Sequence, residues 1–162
     1  MKKLYILLFT ILISCLSFGQ QIVMYEDFLT DGNGTRYTTS VPEFSDGSGD
    51  FFKRTDGTDI TSAYTITSDD FPGYYFAAMD TDGDGQPKVL TLNFNDIDST
   101  GFTNMTCVIS LAEEDDASNQ DWDADTSFTV EVDYDNSGTF TKILQFEAVG
   151  DTNTEPALDT DF

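Results

Sequence analysis

Glu113 to Gly138, EEDDASNQDWDADTSFTVEVDYDNSG, decides the fold class: it runs acidic loop, strand, turn. From Ser127 onward Phe128, Val130, Val132 and Tyr134 alternate with Thr129, Glu131 and Asp133. A period of two puts the apolar set on one face and the polar set on the other, as in a half-buried β-strand. Asp135, Asn136, Ser137 and Gly138 tolerate tight-turn dihedrals, so residues 139–146 (TFTKILQF) read as the returning strand of a hairpin. The pattern predicts antiparallel β structure with Phe128, Val130, Val132 and Tyr134 in the core.

The rest of the chain repeats this grammar. Gln21 to Phe28 reads as the first strand after an N-terminal apolar segment, and Asp31-Gly32-Asn33-Gly34 closes it. Arg36 to Phe44 and Asp50 to Arg54 follow, separated by a Ser/Asp/Gly loop, and Asp56-Gly57 marks another turn. Tyr74 to Met79 (YYFAAM) is apolar throughout, the signature of a strand covered on both faces. Val89 to Phe94 alternates, with Leu90, Leu92 and Phe94 on one face, and Met105 to Leu111 does likewise. No amphipathic helix pattern occurs after residue 20. Short strands separated by Asp/Gly/Asn/Ser turns predict an all-β fold, an antiparallel jelly-roll-like β-sandwich over residues 21–162.

Residues 1–20 read differently. Lys2 and Lys3 precede an apolar run from Leu4 to Phe18 that ends in Ser17, Gly19 and Gln20. The run is shorter than the ~20 apolar residues of a membrane span and sits behind two positive charges, so it predicts a signal-peptide helix and a secreted or cell-surface product. The alternative is Leu12-Ile13-Ser14-Cys15, which resembles a lipobox and would give a lipoprotein anchored through Cys15.

Composition narrows the function. The chain has 30 acidic and 7 basic side chains; without residues 1–20 the bases fall to Arg36, Lys53, Arg54, Lys88 and Lys142, a net charge of −25. Such a chain repels polyanions, which excludes charge-driven binding of nucleic acid or anionic membrane and favours cations. Fourteen Phe and seven Tyr are enough aromatic surface for a core. Histidine is absent, which removes the commonest general base, the usual zinc ligand and every His-assisted nucleophile. Cys107 lies in a strand-like context and reads as a small buried apolar residue.

The acidic loops supply the candidate sites. Asp80, Asp82 and Asp84 with Gly85 match the first half of a calcium loop, in which alternate carboxylates converge on one hard cation. The twelfth position is Thr91 rather than a bidentate Glu, so this is not an EF-hand. Glu113, Glu114, Asp115, Asp116, Asp121 and Asp123 form a second cluster whose mutual repulsion calcium would relieve. Asp133 to Gly138 has similar spacing but reads as a hairpin turn. Trp122 reads as a plug beneath the acidic loop, with a sugar-stacking platform as the alternative. Carboxylate pairs suited to glycoside hydrolysis carry no signal in so acidic a chain.

The stretches SFGQ, YEDF, DGNGTRY, FSDGSGDFFKRTDG, YYFAAMDTDGDG, LAEEDDASNQDWDAD and PALDTDF together resemble a β-sandwich module of secreted Bacteroidetes proteins. Modules of that kind lie beside lamin-tail-like, nuclease-like or C-terminal sorting domains. The resemblance implies a non-catalytic accessory module serving adhesion, glycan binding or protein contact. It also implies that the chain is the N-terminal piece of a longer protein, its sandwich unfinished at Phe162. The alternative expectation is the accessory part of a secreted glycosidase or nuclease, and a third is a structural spacer.

Overall fold

A computed structural model of the chain describes residues 21–46, 49–60, 73–81, 85–113, 122–151 and 154–160. The signal-peptide helix expected over residues 1–20 lies outside these. The described residues are all-β, with eight strands in three antiparallel sheets. The strands are β1 (Tyr37–Thr39), β2 (Phe44–Ser45), β3 (Phe51–Thr55), β4 (Tyr75–Met79), β5 (Leu92–Phe94), β6 (Ser127–Val132), β7 (Thr141–Ala148) and β8 (Pro156–Leu158). β1 pairs with β5, β2-β3-β4 form a meander, and β6-β7-β8 form another.

Among the described residues the core sits on the β2-β3-β4 sheet, both faces of which carry large apolar residues. Directly paired residues share a face, and Phe51 pairs with Met79, Lys53 with Ala77 and Thr55 with Tyr75. On that face Phe51, Tyr75, Ala77 and Ile60 are buried, with Met79 packed against them. The opposite face carries Phe52 and Phe76, whose ring centroids lie 4.8 Å apart edge to face. Phe76 also meets Tyr37 at 6.0 Å and Phe28 at 5.9 Å, so residues outside the sheet form its second covering. The apolar run Tyr74 to Met79 thus lies in a strand covered on both sides, as its composition predicts, although Ala78 is exposed.

Two arginines organise the segment before β1: Arg36 braces it internally through Glu26, and Arg54 of β3 ties it to this layer. Arg36 Nε donates to Glu26 Oε2 at 2.6 Å and its terminal nitrogen to the Thr30 carbonyl at 2.7 Å, while the Glu26 side chain is only 3% exposed. Arg54 Nε donates to the Phe28 carbonyl at 2.5 Å, and Glu26 accepts the Phe28 N–H at 2.7 Å. Phe28 is held from both sides in a left-handed conformation, φ 57°, that a bulky residue adopts only when its surroundings fix it. Gly32 lets the backbone pass close to the clasp: a Cβ there would lie 2.7 Å from Glu26 Oε2 and 2.8 Å from Arg36, and those side-chain ends would have to shift.

The β6-β7 hairpin forms where predicted, with altered ends. β6 stops at Val132 because Asp133 turns inward: its carboxylate accepts N–H groups from Asp135, Ser137 and Gly138, the last at 2.7 Å. Asn136 and Gly138, at φ 55° and 81°, complete the turn. A register shift between Val130 and Glu131 leaves Ile143 of β7 opposite no single partner, as in a β-bulge.

Several expectations are overturned. Gln21 to Phe28 forms no strand, and neither does Met105 to Leu111. Phe128 is 39% exposed, Tyr134 73% and Phe94 48%, and Val130, Val132, Leu90 and Leu92 are only half-buried. The predicted row does assemble, since Phe128 pairs with Phe146 and Phe146 with Leu158. The described strands, however, make their close contacts within their own sheets, and this apolar row has no second layer among them. Cys107, expected in a core, is exposed, and residues 103–112 belong to none of the sheets among the described residues.

Candidate functional site: an acidic cleft beside β3

An open cleft of about 610 Å³ runs along β2 and β3. Local sequence explains its walls. Pro42 cannot extend β2, and there the Glu43 side chain takes over the pairing, its Oε2 accepting the Arg54 N–H at 2.9 Å and its Oε1 the Asn33 amide at 2.8 Å. After β3, the turn through Asp56 and Gly57 brings Asp59 back beneath Lys53. Asp56 closes that turn by accepting from Thr58, which holds its carboxyl below the usual range. Lys53 Nζ then reaches Asp59 Oδ2 at 2.5 Å, and the buried Thr55 hydroxyl donates to the other Asp59 oxygen. Those two donors lower the Asp59 pKa, the Lys53 bond contributing most.

Asp31, Glu43, Asp46 and Asp59 bring four carboxylates to the cleft, against the cations Lys53 and Arg54. Both cations are committed. Lys53 holds Asp59, and Arg54 holds the Phe28 and Leu29 carbonyls while its guanidinium lies 3.6 Å from the Tyr74 ring centroid. The cleft therefore presents acceptor oxygens to anything entering it, together with the Phe44 side chain. Such a lining suits hydroxyl-bearing or cationic groups.

The carboxylates singled out in the sequence lie elsewhere. Asp80 follows β4, exposed and with φ 43°, so the backbone does turn where the calcium-loop motif begins. Asp82 and Asp84 lie outside the described residues, as do Glu114, Asp115, Asp116 and Asp121. Glu113 is exposed, and Asp123 is exposed at a turn closed by the Thr126 hydroxyl, which accepts the Asp123 N–H at 3.1 Å. Among the described residues no three metal-ligating side chains converge. Trp122 is half-buried and bridges to Thr154, whose N–H and hydroxyl both donate to the Trp122 carbonyl at 3.0 Å.

The cleft residues form no motif in the sequence because no two stand in a recognised spacing. Their one signal is scarcity: in a chain so poor in bases, Lys53-Arg54 is the one adjacent pair after residue 20. Comparison with known proteins finds no match to the chain among protein-family models, curated proteins or solved structures.

Proposed function

We propose that this chain is a non-catalytic accessory module, exported to the cell surface or medium, that works by contact with another macromolecule and is stabilised by calcium. The observation that supports contact is where its apolar side chains lie. Beyond the β2-β3-β4 core, Val108 is 86% exposed, Val89 75%, Phe140 58% and Leu158 53%. Apolar surface of this extent is costly in water and characterises surfaces that meet a partner. The acidic charge supports both parts, since it keeps such a surface soluble while repelling nucleic acid and anionic lipid, and it supplies carboxylates that attract a divalent cation. The Bacteroidetes-module resemblance points the same way.

Export is the first thing to test. A C-terminally tagged chain expressed in a bacterium that secretes through signal peptides should lose residues 1–20 and be found in the medium, or reach antibody on intact cells. Purified residues 21–162 should then compete with the producing cells for attachment to a glycan- or protein-coated surface. A full-length product retained in the cytoplasm would overturn the reading.

A further inference from the structure

We infer that the cleft beside β3 receives a neutral sugar residue of a glycan. The inference deepens the contact reading, on which it rests, by naming the class of ligand. β2 consists of Phe44 and Ser45 alone, paired with Phe52 and Phe51, while β3 runs on to Thr55. The step between a short strand and a longer one opens the space of about 610 Å³, within the ~300 to 1,000 Å³ typical of small-ligand sites. Lys53 and Arg54, adjacent on a strand and so directed to opposite faces, both line it, which means that the cleft wraps the edge of β3. The half-buried Phe44 borders the same space and gives it an aromatic wall.

The polar groups of the lining are held in place before any ligand arrives. Both oxygens of Glu43 are fixed, Oε1 by the Asn33 amide at 2.8 Å and Oε2 by the Arg54 N–H at 2.9 Å. Both oxygens of Asp59 are fixed likewise, by Lys53 Nζ and by the Thr55 hydroxyl. A carboxylate has about four lone-pair sites, so each can accept again without giving up these bonds, and little ordering remains to be done on binding. Charge then sorts the ligands. An anion would meet four carboxylates in a chain at −23. An ammonium or guanidinium would meet Lys53 and Arg54, and would find Asp59 already matched by the lysine 2.5 Å away. A hydroxyl both donates and accepts, so neighbouring hydroxyls can give to Glu43 and Asp59 and take from Lys53. The apolar C–H face of a pyranose ring can then lie against Phe44.

The probes are the methyl glycosides of glucose, galactose and mannose, titrated into the purified, isotope-labelled chain and followed by amide NMR. At least one should saturably shift the Asn33 side-chain amide and the Ser45 and Arg54 N–H signals. About 0.5 M salt should leave its affinity unchanged, since a neutral ligand forms no ion pair. Ser45→Trp fills the cleft from an exposed position, so the melting temperature should hold while affinity falls about tenfold or more. Shifts with none of the glycosides, shifts confined to other residues, or undiminished affinity in Ser45→Trp would overturn the inference. Ethylamine that binds at the same signals more tightly than any glycoside, and is weakened by salt, would overturn it in favour of a basic protein partner. The two readings fail separately. Attachment to coated surfaces that persists while no glycoside binds removes the cleft and keeps the contact reading, whereas glycoside binding without attachment keeps the cleft and removes contact.

Discussion

Tyr37 is fully enclosed, and its hydroxyl has no hydrogen-bond partner among the described residues. Burial comes first among the causes that push its pKa up to about 12, with the nearby carboxylates of Glu43, Asp31 and Glu26 adding to it. An unfolded tyrosine ionises near ~10, so the unfolded chain loses this proton first. The folded state binds more protons between those values, and stability must fall as pH rises from about 10 to about 12. Below that window the enclosed hydroxyl is only a desolvated polar group, which costs about 1 kcal/mol or more when unpaired. Tyr37→Phe keeps the ring contacts with Phe28 and Phe76 and removes the hydroxyl. Its chemical-denaturation midpoint at neutral pH should rise, and the alkaline fall in stability should flatten. A lower midpoint would mean that the hydroxyl has a partner outside the described residues.

Among the strands, β3 and β6 reverse the order of importance that their sequences suggest. β6 has the clean alternation, yet Phe128 is 39% exposed; in β3 Phe51 is completely enclosed. Phe51→Ala should therefore cost about 3 to 5 kcal/mol, the range for emptying a packed aromatic site. Phe128→Ala should cost about 1 kcal/mol, since much of its surface is already in water. Urea titration of both variants would check this, and equal losses would show that a further layer covers the β6-β7-β8 sheet. The contrast shows what the chain makes legible. Alternation in residues 127–132 and the apolar run before Met79 announce strands, because a side-chain period is a local property. What each face meets is not local. Phe51 and Phe52 are enclosed because Ile60, Tyr75, Tyr37 and Phe28 come from four other places in the chain, Tyr75 through β3-β4 pairing and Phe28 through its link to Arg54. The same limit applies to the cleft, where Glu43, Lys53 and Asp59 meet only because Pro42 ends one strand and the Asp56 turn reverses another. Met105 to Leu111 carries the same period as β6 and forms no strand, for pairing needs an edge as well as a pattern.

At the scale of the whole molecule the dominant compositional feature is negative charge. A chain at −23 overall, and −25 without residues 1–20, folds against its own repulsion, and its acids concentrate in loops. Surface pairing offers little relief: Lys88 and Asp125, 3.4 Å apart, are both 78% exposed, and pairs of that kind contribute close to nothing. The proposed calcium would act here as a hard, oxygen-seeking divalent cation, with Asp80, Asp82 and Asp84 as first-choice ligands and Glu113 to Asp116 with Asp121 and Asp123 as the second set. Extracellular sites bind calcium at ~0.1 to 1 mM, so millimolar calcium should stabilise the fold by roughly 0.4 to 1.4 kcal/mol per site through binding linkage. Melting residues 21–162 in excess chelator and in millimolar calcium at constant ionic strength should shift Tm by a few degrees. Screening alone also stabilises an acidic chain, so magnesium and added sodium must reproduce less of the shift than calcium does. Asp82→Asn or Asp121→Asn should each remove part of the calcium-specific increment while leaving the sodium response intact. Equal shifts with all three cations, unchanged by either substitution, would leave a solvated acidic surface in place of a site, its stability set by ionic strength alone.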